Sequence, residues 1–277
     1  MTGRSILITG CSSGIGYDAA HGLKARGWRV FAACRQEADC ARLRAEGFDS
    51  PRLDYSDAAS IEAALAQVLD ATGGTLDALF NNGAYAMPGA SEDLPPEALR
   101  EIFEANVFGW HDLTRRVIPV MRAQGHGRIV NNGSVLGIVV APWRAAYNAT
   151  KFATEALTST LRIEMRDTPI HIILLKTGPI TSNIRQNSIP HFERWIDWKA
   201  SPRVAQYQDS LLKRLYEDRG TPDTFELPPS AVTAKLIHAL DSPRPRPRYF
   251  VTRATWLMET ARRLLPGRAL DWMLAKG

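Results

Sequence analysis

No apolar run in this 277-residue sequence is long enough to cross a bilayer, which excludes a helical channel or transporter. The amino-terminus carries no charged-then-apolar leader and reaches a buried-looking strand within a few residues. Cysteine is scarce. Cys11, Cys34 and Cys40 are odd in number and lack metal-ligand spacing, and no His, Cys and carboxylate cluster replaces them. The expectation is therefore no metal and a reducing, cytoplasmic setting. Basic charge is also missing from most of the chain. The net charge is +5, yet residues 244–277 carry +6 and the remainder −1. That balance excludes a nucleic-acid-binding surface on the body and confines any argument from positive charge to the tail. Internal repeats and clear linkers are absent as well. With 45% hydrophobic and 23% charged residues, the chain reads as one soluble α/β domain.

What is present is an alternation of β-rich apolar runs with helix-like stretches. Candidate strands cover 6–9, 30–33, 51–54, 76–80, 128–131 and 170–175. Candidate helices cover 16–26, 37–46, 58–71, 96–123 and 145–166. Strand runs such as Ile6-Leu7-Ile8 lack polar alternation, as expected of strands covered on both faces. The β-α-β order with short connections predicts a doubly wound parallel sheet with right-handed crossovers and a ligand crevice at the strand C-termini. The pattern loosens after Leu175. A helix over 230–240, a proline-arginine stretch and a short strand over 249–252 follow, then a basic amphipathic tail over 254–277.

The first strand runs into Thr9-Gly10-Cys11-Ser12-Ser13-Gly14-Ile15-Gly16 and then a helix. Glycine lets backbone turn sharply and approach a diphosphate, and a helix N-terminus offers free N–H groups to phosphate oxygens. Alone, such a loop is as compatible with a plain strand-to-helix turn. Tyr147 and Lys151 stand four residues apart and share a face on a helix. A phenol with a cation beside it suits general acid–base catalysis, because the cation favours the phenolate. Ser134 follows the strand ending near Asn131, where its hydroxyl can face the crevice. Asn106 lies upstream in Asn106-Val107-Phe108-Gly109, and Asn81-Asn82-Gly83-Ala84 follows the fourth strand.

In these residues the chain resembles the short-chain dehydrogenase/reductase family over essentially its whole length. The family's glycine loop is matched by 9–16, its Y-x-x-x-K pair by Tyr147 and Lys151, its serine by Ser134 and the asparagine of its tetrad by Asn106. The resemblance implies a single Rossmann-type domain over 1–277. It also implies a cofactor site of Gly10, Ser12, Ser13, Gly14, Ile15, Gly16, Arg35, Asp54, Asn82, Gly83, Tyr147, Lys151, Pro179, Ile180 and Ser182. Departures stand beside it: the last two residues of Asn81-Asn82-Gly83-Ala84 are exchanged relative to the family, Thr177 replaces a proline, and Ser182 replaces a threonine. The implied chemistry is hydride transfer between a nicotinamide and a carbonyl or carbinol carbon. Tyr147 exchanges the proton, Ser134 positions the oxygen, Lys151 lowers the Tyr147 pKa and holds a ribose hydroxyl, and Asn106 supports a water-linked proton route.

The end of the second strand reads Ala33-Cys34-Arg35. An NAD-selective sheet has an acidic residue there, and Arg35 instead suits a 2′-phosphate, so the expected cofactor is NADP(H). Glu37 is the competing acidic candidate. Residues 183–229 resemble the family's substrate lid, and Trp143, Phe192, Trp195 and Trp198 join Ser134 as candidate substrate contacts. Trp195 and Trp198 would share a face if both lay on one helix. Apolar walls favour a hydrophobic aldehyde or ketone or its alcohol. The overall pattern looks most like bacterial NADP-dependent aldehyde reductases. Steroid and retinol dehydrogenases, a nucleotide-sugar epimerase, and a non-catalytic cofactor-sensing regulator of the same fold are the alternatives. Analogy suggests a homo-dimer or homo-tetramer through helices 96–123 and 145–166. The tail's Trp256, Leu257, Ala261, Leu264 and Leu265 suit packing on the body or a second subunit, ahead of a weak membrane-surface contact.

Overall fold

The structure is a computed structural model and describes residues 3–217 and 220–275. Six strands form one sheet: β1 (Ser5–Thr9), β2 (Arg29–Ala33), β3 (Ala78–Asn81), β4 (Gly127–Asn132), β5 (Ile170–Lys176) and β6 (Arg248–Phe250). Their spatial order is β2-β1-β3-β4-β5-β6, and every pair is parallel. Alternate side chains of β1 enter different cores. Ile6 and Ile8 pack on one face and Leu7 on the other, which is why the middle of the strand is apolar on both sides.

Helices α1 (Gly14–Lys24) and α2 (Glu37–Ala45) follow the first two strands; α3 (Ala58–Thr72) precedes β3. Helices α4 (Pro96–Phe103), α5 (Gly109–Gln124) and α6 (Ala145–Glu164) then cover the sheet before β5. After β5 come α7 (Ile184–Trp195), the short α8 (Val204–Gln206) and α9 (Leu212–Tyr216), then α10 (Ser230–Asp241). Past β6 the chain ends in α11 (Arg253–Leu264) and α12 (Gly267–Leu274). The strand order reverses direction at β1, between β2 and β3, so the crevice at the switch point opens beside the Thr9–Gly10 turn.

Three sequence expectations change. The segment 51–54 is not a strand of the sheet. It runs beside β2 through single bridges, Phe31 with Asp49 and Cys34 with Arg52, because Pro51 has no N–H to continue a ladder. The helix expected over 96–123 is two helices joined by a π-turn at Glu104–Phe108, which contains Asn106. A π-bulge re-aims side chains that a regular helix would present elsewhere. Gly109 follows it, and any Cβ there would strike the Tyr55 carbonyl and side chain.

The third concerns the tail. Thr252 caps α11 by accepting the Thr255 N–H at 3.4 Å, and the buried Lys176 ammonium pairs with Glu259 at 3.4 Å and Glu155 at 3.3 Å. The inner side of α11 is thus tied to β5 and α6. Of its large apolar side chains, Trp256 stacks on Phe250 of β6 at 4.2 Å. Trp256, Leu257 and Leu264 nonetheless remain exposed, as does Trp272 of α12. The body covers little of the apolar face expected to pack on it or on a second subunit. No helix among the described residues is long and apolar enough to cross a membrane.

Candidate active site

The glycine loop is built by close approach. Gly10 has φ of +68°, and a Cβ on it would lie 2.6 Å from the Gly83 Cα. A Cβ on Gly16 would collide with the Gly10 carbonyl and stand 2.8 Å from the Asn82 side-chain nitrogen. Gly83 fits the same requirement, since its Cβ position is 3.3 Å from both the Gly10 nitrogen and the Tyr55 ring. The exchanged Gly83-Ala84 order therefore puts the smaller residue where the loops touch. Ser13 begins α1 without any side-chain cap, which leaves the first-turn N–H groups open. Ser12 presents its carbonyl to Arg42 at 2.7 Å, and Ile15 packs against the core beneath.

The floor of the crevice is a buried polar chain that the sequence did not reveal. Asn81 accepts the Tyr55 hydroxyl at 2.8 Å and donates to Asn131 at 2.9 Å and Thr114 at 3.0 Å. Asn131 donates to Thr158, and Tyr55 also meets Thr9 at 2.8 Å. Above it, Asn82 donates to the carbonyls of Thr9 and Gly10 and accepts from Asn132 at 2.9 Å. Satisfied networks of this kind rigidify a site. They bind the ends of β1, β3 and β4 and the helix α6 into one unit.

Ser134, Tyr147 and Lys151 come together on that unit. Ser134 ends β4's loop and accepts the Leu136 N–H at 3.1 Å. Its hydroxyl lies near enough to the Tyr147 phenol to favour the phenolate. Burial pushes Tyr147 up to about 12, while the positive charge of Arg144 and the Ser134 hydroxyl pull the other way. Lys151 is buried, donates to the Asn132 carbonyl at 2.9 Å and is brought down to about 7 by desolvation. Its ammonium lies 5.5 Å from the Tyr147 ring centroid and 4.8 Å from that of Trp110. Arg144 is thus a second cation close enough to favour the Tyr147 phenolate. Asn106 is buried in the π-turn and clamps Tyr85: it accepts that residue's N–H at 3.1 Å and donates to its carbonyl at 2.8 Å. A longer bond to Thr150, at 3.3 Å, links it to α6.

The third wall is the loop after β5. Thr177, in place of a proline, donates its hydroxyl to the Gly133 carbonyl at 2.9 Å and so braces the residue before Ser134. Pro179 and Ile180 are held by Leu227, and the Ser182 Cβ lies 3.4 Å from where a Gly14 Cβ would stand. The 179–182 loop thus closes over the glycine loop. Asp54 is fixed by its neighbours, its N–H donating to Ser60 and its carboxylate accepting from Ser56.

These features fit a nicotinamide dinucleotide. The uncapped α1 N-terminus and the glycines suit a diphosphate. The Asn132 side-chain oxygen is buried without a partner beside Lys151. Arg35 is exposed and makes no hydrogen bond or ion pair among the described residues, and its charge reaches Tyr85 and His191. Glu37, the acidic competitor, is turned to Arg44 at 2.6 Å.

On the outer side, Phe192 and Tyr207 are fully buried in a small core of their own. Tyr207 donates to Asp93 and accepts the Ala90 N–H, each at 2.8 Å, and its ring meets Trp143 at 4.9 Å. Trp198 packs on the same Tyr207 ring at 6.5 Å but lies beyond the end of α7, so it shares no helix face with Trp195. Trp195 is the aromatic that reaches the site. It packs in one cluster with Met87, Ile102 and Tyr147, and its indole N–H is buried without a partner among the described residues.

The short chain dehydrogenase family model matches residues 4–192. An uncharacterized oxidoreductase of Escherichia coli, YbbO, is 37% identical over 98% of this chain and 94% of the relative. An NADPH-dependent 3-dehydrocapnine reductase of Ornithobacterium rhinotracheale is 27% identical over 99% and 96%. Among solved structures, a short chain dehydrogenase/reductase of Burkholderia phymatum in complex with NAD superposes with a TM-score of 0.77, 26% identity, and 98% and 95% coverage. The Gly-rich turn, the Ser–Tyr–Lys constellation and these likenesses agree, and the chain belongs to the short-chain dehydrogenase/reductase family of oxidoreductases.

Proposed function

We propose that this oxidoreductase is an NADP(H)-dependent carbonyl reductase acting on a hydrophobic aldehyde or ketone, with Asn106, Ser134, Tyr147 and Lys151 as its site. The observation that carries the reading is the half-buried Tyr147 phenol, held protonated at neutral pH and set beside the Ser134 hydroxyl on the wall of the crevice. When bound, the cofactor supplies the hydride that reaches the carbonyl carbon. Tyr147 gives its proton to the oxygen as negative charge develops there, and Ser134 donates a second hydrogen bond to that oxygen. Lys151 binds rather than protonates: its ammonium, fixed by Asn132, is placed for a ribose hydroxyl. Asn106 acts through Tyr85 and Thr150, holding α6 to the wall opposite. The aromatics around Trp195 exclude water from the reacting face, and residues 183–229 form the lid.

NADP(H) is preferred to NAD(H) on this reading because Arg35 is the unengaged cation at the end of β2 while Glu37 is committed to Arg44. The NADPH dependence of the 3-dehydrocapnine reductase supports the same choice. Reduction is the direction that preference favours. Three buried free cysteines suit a cytoplasmic setting. A second copy of the chain would dock on the groove between α5 and α6, about 390 Å³ in volume and lined by Val107, Trp110, Ile118 and Leu157. The outward Trp256, Leu257 and Leu264 give the tail a membrane-surface contact as its second role.

An NADPH-oxidation screen over aliphatic and aromatic aldehydes, steroid ketones, retinal and sugars tests the reading. Hydrophobic carbonyls should be turned over best. Tyr147→Phe should lose about 10²–10⁴-fold in kcat with NADPH affinity retained. Arg35→Ala should erode the preference for NADPH over NADH. Best turnover on a polar sugar, or an unchanged cofactor preference in Arg35→Ala, would overturn the corresponding half.

A further inference from the structure

Arg144 is the residue immediately before α6, one helical turn from Tyr147 and on the same side of the helix. Two features of its setting need a reason. The guanidinium is half-buried, yet it makes no hydrogen bond and no ion pair among the described residues. A partly desolvated charge without a partner carries a cost, and an arginine cannot escape it by losing its proton. The backbone that delivers it is also strained. Trp143 has φ of +64°, a left-handed conformation that a bulky residue rarely adopts. That conformation is held by the Gly89 N–H on the Trp143 carbonyl at 2.9 Å and by the Trp143 ring on Tyr207. The chain thus maintains an unfavourable turn that sets an uncompensated cation beside the reacting phenol.

The surroundings deepen the positive charge. Arg214 lies near Arg144, and Arg185 donates to the Arg214 carbonyl at 3.3 Å. Asp223 is the carboxylate facing this group, and Arg214 already engages it at 3.3 Å. Among the described residues no carboxylate forms an ion pair with Arg144.

We propose that Arg144 is a specificity-determining residue that receives an anionic group, a carboxylate in the simplest case, carried by the apolar substrate close to its reacting carbonyl. The inference rests on the carbonyl-reductase reading above and narrows it. The substrate has an apolar body for the aromatic wall around Trp195 and an anion for Arg144. The carbonyl lies between them at Tyr147 and Ser134. Tyr147 still delivers the proton, and the anion fixes which way the carbonyl faces.

The test compares 2-oxodecanoate with its methyl ester, and 10-oxodecanoate with its methyl ester, by NADPH oxidation. The wild type should favour the 2-oxo acid over its ester by at least tenfold in kcat/KM and show no such preference for the 10-oxo pair. In Arg144→Gln the acid-to-ester ratio should fall at least tenfold, and Arg144→Lys should recover part of it. A ratio unchanged by Arg144→Gln overturns the inference, even if the pH–rate profile moves for acid and ester alike, because Arg144 then acts on Tyr147 alone. Thermal stabilisation by 2-oxodecanoate in the presence of NADP⁺ gives a readout without turnover. If no carbonyl is reduced, the reductase reading fails by itself. Stabilisation of the wild type that is lost in Arg144→Gln still sustains the anion site, and equal or absent stabilisation in both removes it. Intact NADPH binding in Arg144→Gln verifies that the variant is folded.

Discussion

The two walls of the crevice are held in different ways. The cofactor wall, from Gly10 to Gly16 with Asn81, Asn82 and Asn132, is fixed by backbone approach and a hydrogen-bond network among buried side chains. The outer wall is held by an aromatic cluster around Tyr207 and by a few polar pins such as Asp93. The first arrangement permits almost no side-chain change, because the touching atoms belong to the main chain. The second permits repacking, because its contacts are between side chains. A fold built this way can keep one cofactor while its substrate varies.

The sharpest way to break that contrast is Gly16→Ala. The added methyl would meet the Gly10 carbonyl, which cannot move without opening the loop. We expect destabilisation above about 3 kcal/mol and loss of NADPH binding, read by denaturant melts and cofactor fluorescence. Near-normal NADPH affinity in this variant would mean that the loop is not held by close approach.

A smaller effect is expected on the other wall. Tyr207→Phe leaves the ring cluster in place but strands the Ala90 N–H and removes one of the two bonds on the Asp93 oxygen. The cost should be about 1–3 kcal/mol. KM for the substrate should rise while the NADPH dissociation constant stays put. If both affinities fell together, the walls would be one mechanical unit and the contrast would fail.

The same difference decides what could be read from the sequence. The glycine loop, the Tyr147–Lys151 pair and Ser134 are legible because their function depends on local backbone geometry and fixed spacing. The floor network is not. Thr9, Tyr55, Asn81, Asn131 and Thr158 are far apart in the chain and become neighbours only when parallel strands bring their C-terminal ends into register. Asn106 could be singled out, but not its clamp on Tyr85, which needs a π-turn that helical periodicity does not announce. Residues 51–54 had strand composition, and Pro51 alone explains why the ladder stops. Arg144 escaped notice because the Tyr–Lys spacing points forward along α6, while the second cation lies one turn back, delivered by a strained tryptophan. The outward tail residues mark another limit: an amphipathic pattern says which face is apolar and not what covers it.

The smallest predicted effect concerns the two cations on either side of Tyr147. Lys151 lies deep in the cofactor wall with the Asn132 carbonyl and the Trp110 and Tyr147 rings but no carboxylate beside it among the described residues, so burial lowers it from its ordinary range near 10.4 to about 7. In the unfolded chain it holds its proton up to that ordinary value. Between the two values the unfolded state therefore binds more protons, and stability must rise with pH, by at most about 1.4 kcal/mol per unit. The stabilisation is complete only above the unfolded value and is lost as pH falls towards 7. Buried Cys11 and Cys34 have raised values and act in the opposite sense once unfolded thiols ionise, above about pH 8.5. The clean window is thus pH 7 to 8.5, with the cofactor-free enzyme. Urea melts of the wild type should show stability increasing across that window, and Lys151→Met should flatten the increase. Parallel slopes in the two proteins would mean that Lys151 keeps its full charge in the crevice. The compensation would then have to come from the Asn132 carbonyl and the neighbouring rings, and the cofactor wall would tolerate a buried cation.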